Sequence, residues 1–334
     1  MDNPGPDSSG IRFVCDQAEA VIDLLSAGGR KVPETMWQRL FSSEGYRRLK
    51  HREEAMGSLG QPFDDEAFRD FVLSNELSGR AAALAEALRS WQSVDLAVPL
   101  TRTLAYLPQG ASIRCTIYPI IKPKPNSFVF EVETDPALFL SLDPENTQER
   151  FLNTLTHELH HIGTSQACQA RLEGELLPSL PARVRTVVEW VTPFGEGVAM
   201  LAAAGGPTVH PHAASDPETR DRWDRSLARF DTDLKGIERF YLDVLDGALE
   251  TDGAIRERGF SFFGVDQGPW YTVGWRMAVT VEEILGRDAL VGSLCDPRRL
   301  LAQYNQAAAQ LNTTSDGPLP LWHPALLERL DAIP

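Results

Sequence analysis

The spacing of apolar residues changes twice along the chain, and nothing else in the sequence constrains the fold as strongly. From about Val14 to Leu88 apolar residues recur at intervals of three and four, as in VCDQAEAVIDLL and AFRDFVLSNEL, with Gly28, Pro33, Gly60 and Pro62 as punctuation. That spacing lays one apolar stripe along each helix, so the first third is read as helical. Between Ser112 and Leu142 the runs shorten to SIRCTIYPII, NSFVFEVE and ALFLSLD, rich in β-forming residues and parted by proline-containing breaks. They are expected to be neighbouring strands of one small sheet. After Asp143 the helical period returns and persists, with helix starts marked by Pro181, Pro217 and Pro297. The expected class is α+β, predominantly helical. The segment GGPTVHPHAAS, Gly205 to Ser215, is the clearest long loop.

Composition narrows the function. In 334 residues, 43% hydrophobic and 24% charged side chains match a folded chain and exclude wholesale disorder. The 32 basic and 47 acidic residues leave a net charge of −15, with no long basic run. Nucleic acid and anionic membrane surfaces are therefore excluded as partners, and substrates without net negative charge are expected. The opening MDNPGPDSSG lacks the positive charge and apolar run of a secretory signal, and no stretch approaches a membrane span, so a cytoplasmic protein is expected. Scarce Lys beside abundant Arg and Ala is associated with GC-rich bacterial genomes. Cys15, Cys115, Cys168 and Cys295 are scattered without a CxxC and are read as small apolar residues, not as a disulfide framework.

Chemistry concentrates in ENTQERFLNTLTHELHHIGTSQA, where His157, Glu158, Leu159, His160 and His161 match H-E-x-x-H. Residues four apart share a helix face, so His157 and His161 can aim imidazole nitrogens at one metal ion. Glu158 is rotated by one step and lies beside the ion, where a base must stand to take a proton from water. His160 is off the shared face. Phe151, Leu152, Leu155, Leu159 and Ile162 give the helix a stripe to bury, and Asn146 or Thr147 can cap it. The bland alternative is a solvated helix face with two ordinary histidines.

A third ligand would separate these readings. A metzincin would place His at 167, where this chain has Ala167. The remaining downstream donors are Glu173, Glu175, Glu189 and Glu196. Glu196 sits in the otherwise apolar VEWVTPFGEGVAMLAAAGG, where a carboxylate is rare unless paired or ligating. Gly195, Gly197 and Ala199 would let its helix approach the H-E-x-x-H helix closely. Glu196 is favoured; Glu189, seven residues earlier, is the runner-up, and an uncoordinated carboxylate at a kink near Pro193 is the alternative.

Together THELHHIG, FGEGVA and GPWYTVGWRMA resemble the zincin metallopeptidases, specifically gluzincin-like ones, and are most similar to bacterial zinc-dependent peptidases catalogued as a domain of unknown function. The likeness covers roughly Ser112 to Gln310. It implies a small twisted sheet over the H-E-x-x-H helix and a helical lower subdomain. The chain is accordingly divided into an N-terminal helical region (1–95), a zincin-like core (96–206) and a C-terminal helical subdomain closing the cleft (207–334). The ligand set implied is His157, His161 and Glu196 around one Zn²⁺, with iron or manganese as alternatives that these donors also suit. One departure is Met200, where better-known gluzincins often carry an Asp that orients a histidine.

Tyr271, in the first turn of a helix opened by Pro269, is a candidate oxyanion donor, or else a half-buried core tyrosine. His210 and His212 on the long loop compete for that role, or are simply exposed. No G-x-S-x-G, P-loop or G-x-G-x-x-G is present. The expected function is a zinc-dependent hydrolase acting on a peptide, with non-proteolytic metal chemistry on a small molecule or modified peptide, or a non-catalytic helical interaction protein, as alternatives. Lys122 and Lys124 in IIKPKPNS suit an exposed connection at the sheet rim, and a peptide groove is expected beside an edge strand and past Glu158.

Overall fold

The computed structural model describes residues 10–28, 32–55, 63–264, 267–314 and 317–331. The opening MDNPGPDSS and the punctuation at Gly60 and Pro62 lie outside them. The chain divides into two units, residues 1–100 with 113–162, and residues 101–112 with 163–334. Among the described residues it is predominantly helical with one small mixed sheet, as an α+β chain should be.

The first unit holds β1 (Ile11–Phe13), α1 (Asp16–Ser26), α2 (Glu34–Ser42), α3 (Glu44–Ala55), α4 (Asp65–Val72) and α5 (Ala81–Gln92). After α6 (Ala97–Leu104) come β2 (Cys115–Ile120), β3 (Phe128–Phe130), β4 (Ala137–Ser141) and α7 (Gln148–Arg171). Strand order is β1-β2-β4-β3, with β1 and β4 parallel to β2, and β3 antiparallel to β4. The three expected strands are all present. The helical reading of the first third needs one correction, because Ile11–Phe13 is a strand. A three-residue strand is too short to display a period.

Strand β2 is buried along its whole length, as a parallel strand covered on both faces must be. Pro119 is tolerated inside it for a local reason. The Cys115 amide donates to Gly10 and the Thr116 amide to Pro136, so odd-numbered nitrogens face β1, which is last paired at Phe13 with Ile117. The missing Pro119 N–H therefore points past the end of β1 and removes no ladder bond. On one face Tyr118, Ile120, Ala137 and Phe139 pack with Leu49 of α3. Helix α1 is tied to the strand end by buried Gln17, whose amide both donates to the Ile121 carbonyl (2.8 Å) and accepts from its N–H (3.0 Å). Lys122 departs from its expected place at an exposed rim. It is 8% exposed, donates to the Lys124 carbonyl at 3.0 Å, and burial pushes its ammonium below the usual lysine range. Lys124 is exposed.

The second unit contains α8 (Leu177–Ser179), α9 (Ala182–Val191), α10 (Gly195–Ala204), α11 (Pro217–Leu227), α12 (Phe230–Asp246) and α13 (Asp252–Ser261). It continues with α14 (Pro269–Leu285), α15 (Arg287–Ser293), α16 (Arg298–Asn312) and α17 (Pro324–Asp331). The proline-marked starts are found: Pro181 and Pro297 precede α9 and α16, and Pro217 opens α11, where the Asp216 side chain caps the Thr219 amide at 2.9 Å. Helix α14 runs through the core, with Trp270 fully buried among Phe194, Phe262 and Tyr241 and its indole N–H donating to the Gly259 carbonyl at 3.0 Å.

Cys168 and Cys295 form a disulfide across 127 residues, which corrects their reading as unlinked apolar residues. Cys15 and Cys115 are free and buried. Among the described residues, no helix is long and apolar enough to cross a membrane.

Candidate metal centre

Helix α7 supplies the first part of the site. Thr147 caps it, its hydroxyl oxygen accepting from the Arg150 amide at 3.2 Å and its carbonyl from Phe151 at 2.9 Å. Phe151, Leu155, Leu159 and Ile162 are buried, while Leu152 is only partly so. The ring of Phe151 stacks on Trp91 of α5 with centroids 4.3 Å apart. That burial fixes the rotation of the helix and leaves His157 and His161 half-buried on another face. Their Nε2 atoms stand 3.0 Å apart, with rings nearly perpendicular at 81°. Glu158 is buried at 8% exposure, and His160 at 1%.

Glu196 lies in the first turn of α10, half-buried, followed by an unbroken buried run from Gly197 to Ala204. A carboxylate there is favoured by the dipole of the helix start. The neighbouring glycine has a specific use. A Cβ on Gly197 would fall 1.9 Å from the Trp275 nitrogen and 2.2 Å from the Gly274 carbonyl carbon, so the backbones of α10 and α14 touch at this crossing. The close approach that Gly197 admits is thus to α14; a Cβ at Gly195 would meet nothing within 4 Å. Glu189 is exposed. The 3₁₀ turn at Thr192–Phe194 separates α9 from α10, so seven residues of spacing do not keep Glu189 in phase with Glu196.

His157 and His161 belong to the first unit and Glu196 to the second. Two imidazoles and a carboxylate suit a zinc ion, whose Zn–N and Zn–O bonds of about 2.0–2.2 Å put neighbouring donors a little over 3 Å apart. Glu173 and Glu175 are exposed, as Glu189 is.

The sequence model of the family described as "Putative zinc dependent peptidase (DUF5700)" matches residues 37–313. The chain belongs to this family. In this DUF5700 member the matched span includes α7, α10 and α14 whole. No curated protein and no solved structure matches the chain.

The remaining candidates lie in the second unit. Tyr271 is half-buried in the first turn of α14, three residues before the Gly274 contact with α10, with its ring edge-on to Phe263 at 6.5 Å. The loop histidines are held in place. His210 Nε2 is 3.1 Å from Asp224, and its Nδ1 accepts from the His212 amide at 3.0 Å. His212 is 8% exposed and bonds Ser215 through Nδ1 and Gln267 through Nε2, so it is not the exposed loop residue allowed for by the sequence.

Proposed function

We propose that this chain is a zinc-dependent metallopeptidase in which His157, His161 and Glu196 hold one Zn²⁺ and Glu158 is the general base. The observation that carries the proposal is the pair of imidazole Nε2 atoms 3.0 Å apart on a helix of a zinc-dependent peptidase family. Support for Glu196 comes from its carboxylate being half-buried at the head of an unbroken buried run on α10, where an acid is rare unless paired or ligating. A divalent ion bound there supplies Lewis acidity, polarising a carbonyl and lowering the pKa of water. Glu158 takes the proton of the attacking water and passes it to the leaving amine. Its burial keeps bulk water from competing for that proton. Tyr271 donates a hydrogen bond to the developing oxyanion, aided by the fixed crossing of α14 on α10. His212 suits that task less well, because both ring nitrogens are engaged. The substrate peptide lies extended beside an edge strand of the sheet, of which β1 and β3 are the two, pairing its backbone with theirs.

The test combines elemental analysis with hydrolysis. Protein purified without added metal should carry about one zinc per chain and cleave members of a mixed peptide library, and chelation should abolish the cleavage. Iron or manganese at full occupancy would change the assigned ion. A metal-free chain that binds no added zinc would overturn the proposal.

A further inference from the structure

A cavity of about 950 Å³ opens in the second unit between α11 and the start of α14. Arg222, Arg225 and Arg229 line it together with His212, Gln267 and Trp223, and none of the described lining residues is acidic. That is unexpected in a chain of net charge −15. The cause is helical phase: intervals of three and four put the three guanidinium groups on one side of α11 and of the turn that follows it. None of the acids of the same helix, Glu218, Asp221 and Asp224, lines the cavity. Asp216 caps the helix start and Asp224 holds His210. Arg222 donates to the Thr219 hydroxyl at 3.1 Å, and Arg229 lies 3.5 Å from Asp233. Among the described residues, Arg225 has no ion-pair partner.

The cavity is linked to the proposed ligand helix by contacts within this unit. Gln267 Nε2 is 3.6 Å from the sulfur of Met200, which follows Glu196 by one turn on α10, and Gln267 Oε1 bonds His212 Nε2. One cavity-lining side chain, Gln267, therefore touches α10 one helical turn from the carboxylate assigned to the metal, and His212 is bonded to it.

We propose that this cavity is a specificity subsite that holds a carboxylate of the substrate, either an acidic side chain or the chain terminus. The proposal rests on the peptidase reading and names its substrate class. Guanidinium groups meet a carboxylate with paired, charge-assisted hydrogen bonds. Beyond about 10 Å the acidic surface is screened at moderate salt, so at contact the lining decides, not the net charge.

The experiment uses the full-length Glu158→Gln protein loaded with zinc, so that peptides bind without turnover, and reads affinity by calorimetry. Three acetylated tetrapeptides separate the two carboxylate sources: one amidated with an internal Glu, its Gln counterpart, and an Ala peptide with a free C-terminus. One or both carboxylate peptides should bind about tenfold tighter than the Gln peptide. Adding Arg225→Ala and Arg229→Ala should erase that preference, while Lys at both positions should keep part of it. Equal binding of all three peptides, or a preference that survives the double alanine change, would overturn the subsite. A wild-type chain that cleaves no peptide would instead count against the peptidase reading, and the binding preference would still be measurable.

Discussion

The side chains at positions 157, 158 and 161 are expected to fail in different ways. His157→Ala and His161→Ala each remove a donor and should lose the metal, as read by elemental analysis. Glu158→Gln keeps the helix and both imidazoles, so it should keep the metal while turnover falls about 10²–10⁴-fold, the contribution of a positioned proton carrier. Full activity in Glu158→Gln would remove it as the base. Cysteine chemistry can be checked residue by residue too. Burial pushes the Cys115 thiol up to about 12 and raises Cys15 as well, so neither forms thiolate at neutral pH. Iodoacetamide should leave the folded protein unlabelled and add two groups once it is unfolded without reductant. The pairing of His157 with His161 was legible because residues four apart share a helix face. Lys122 was not, since KPKP carries no information about which side chains fold over it; here Glu53 and Phe128 do.

Among elements, the α10 and α14 pair is the most exacting. Gly197→Ala would drive a methyl group into the backbone of α14, where no side chain can give way, and should destabilise the protein by about 3 kcal/mol or more. Gly195→Ala, two residues away and facing open space, should be neutral or stabilising by up to about 1 kcal/mol. Denaturant melts of the two variants provide the comparison; equal stabilities would contradict the crossing. Proline-led helix starts and the strands of residues 112–142 could be read locally, because each depends on a few adjacent residues. Three features could not. Strand β1 is stabilised by partners about a hundred residues away, at Cys115 to Ile117. The break between α9 and α10 spoils a face that a simple seven-residue count would preserve. The Arg222, Arg225 and Arg229 side was present in RDRWDRSLAR, but only the fold shows that a cavity lies against it.

At the scale of the whole molecule, charge and covalent connection act differently. The net charge of −15 governs what approaches from a distance, and it still disfavours polyanions. The bond between Cys168 and Cys295 spans 127 residues, and reducing it should lower stability by about 2–4 kcal/mol. Thermal melts with and without reductant measure this; identical curves would mean that the bond contributes nothing. A disulfide of this span is also more at home in an oxidising compartment than in the reducing cytoplasm expected from the N-terminal segment. Its last consequence concerns breakage. The loop from Gly205 to Ser215 lies between the two cysteines, with His157, His161 and Glu196 on its N-terminal side and Tyr271 on the other. A single scission in that loop would be silent to any sizing done without reductant: the two pieces would migrate as one 37.0 kDa molecule and part only when the sulfurs are reduced.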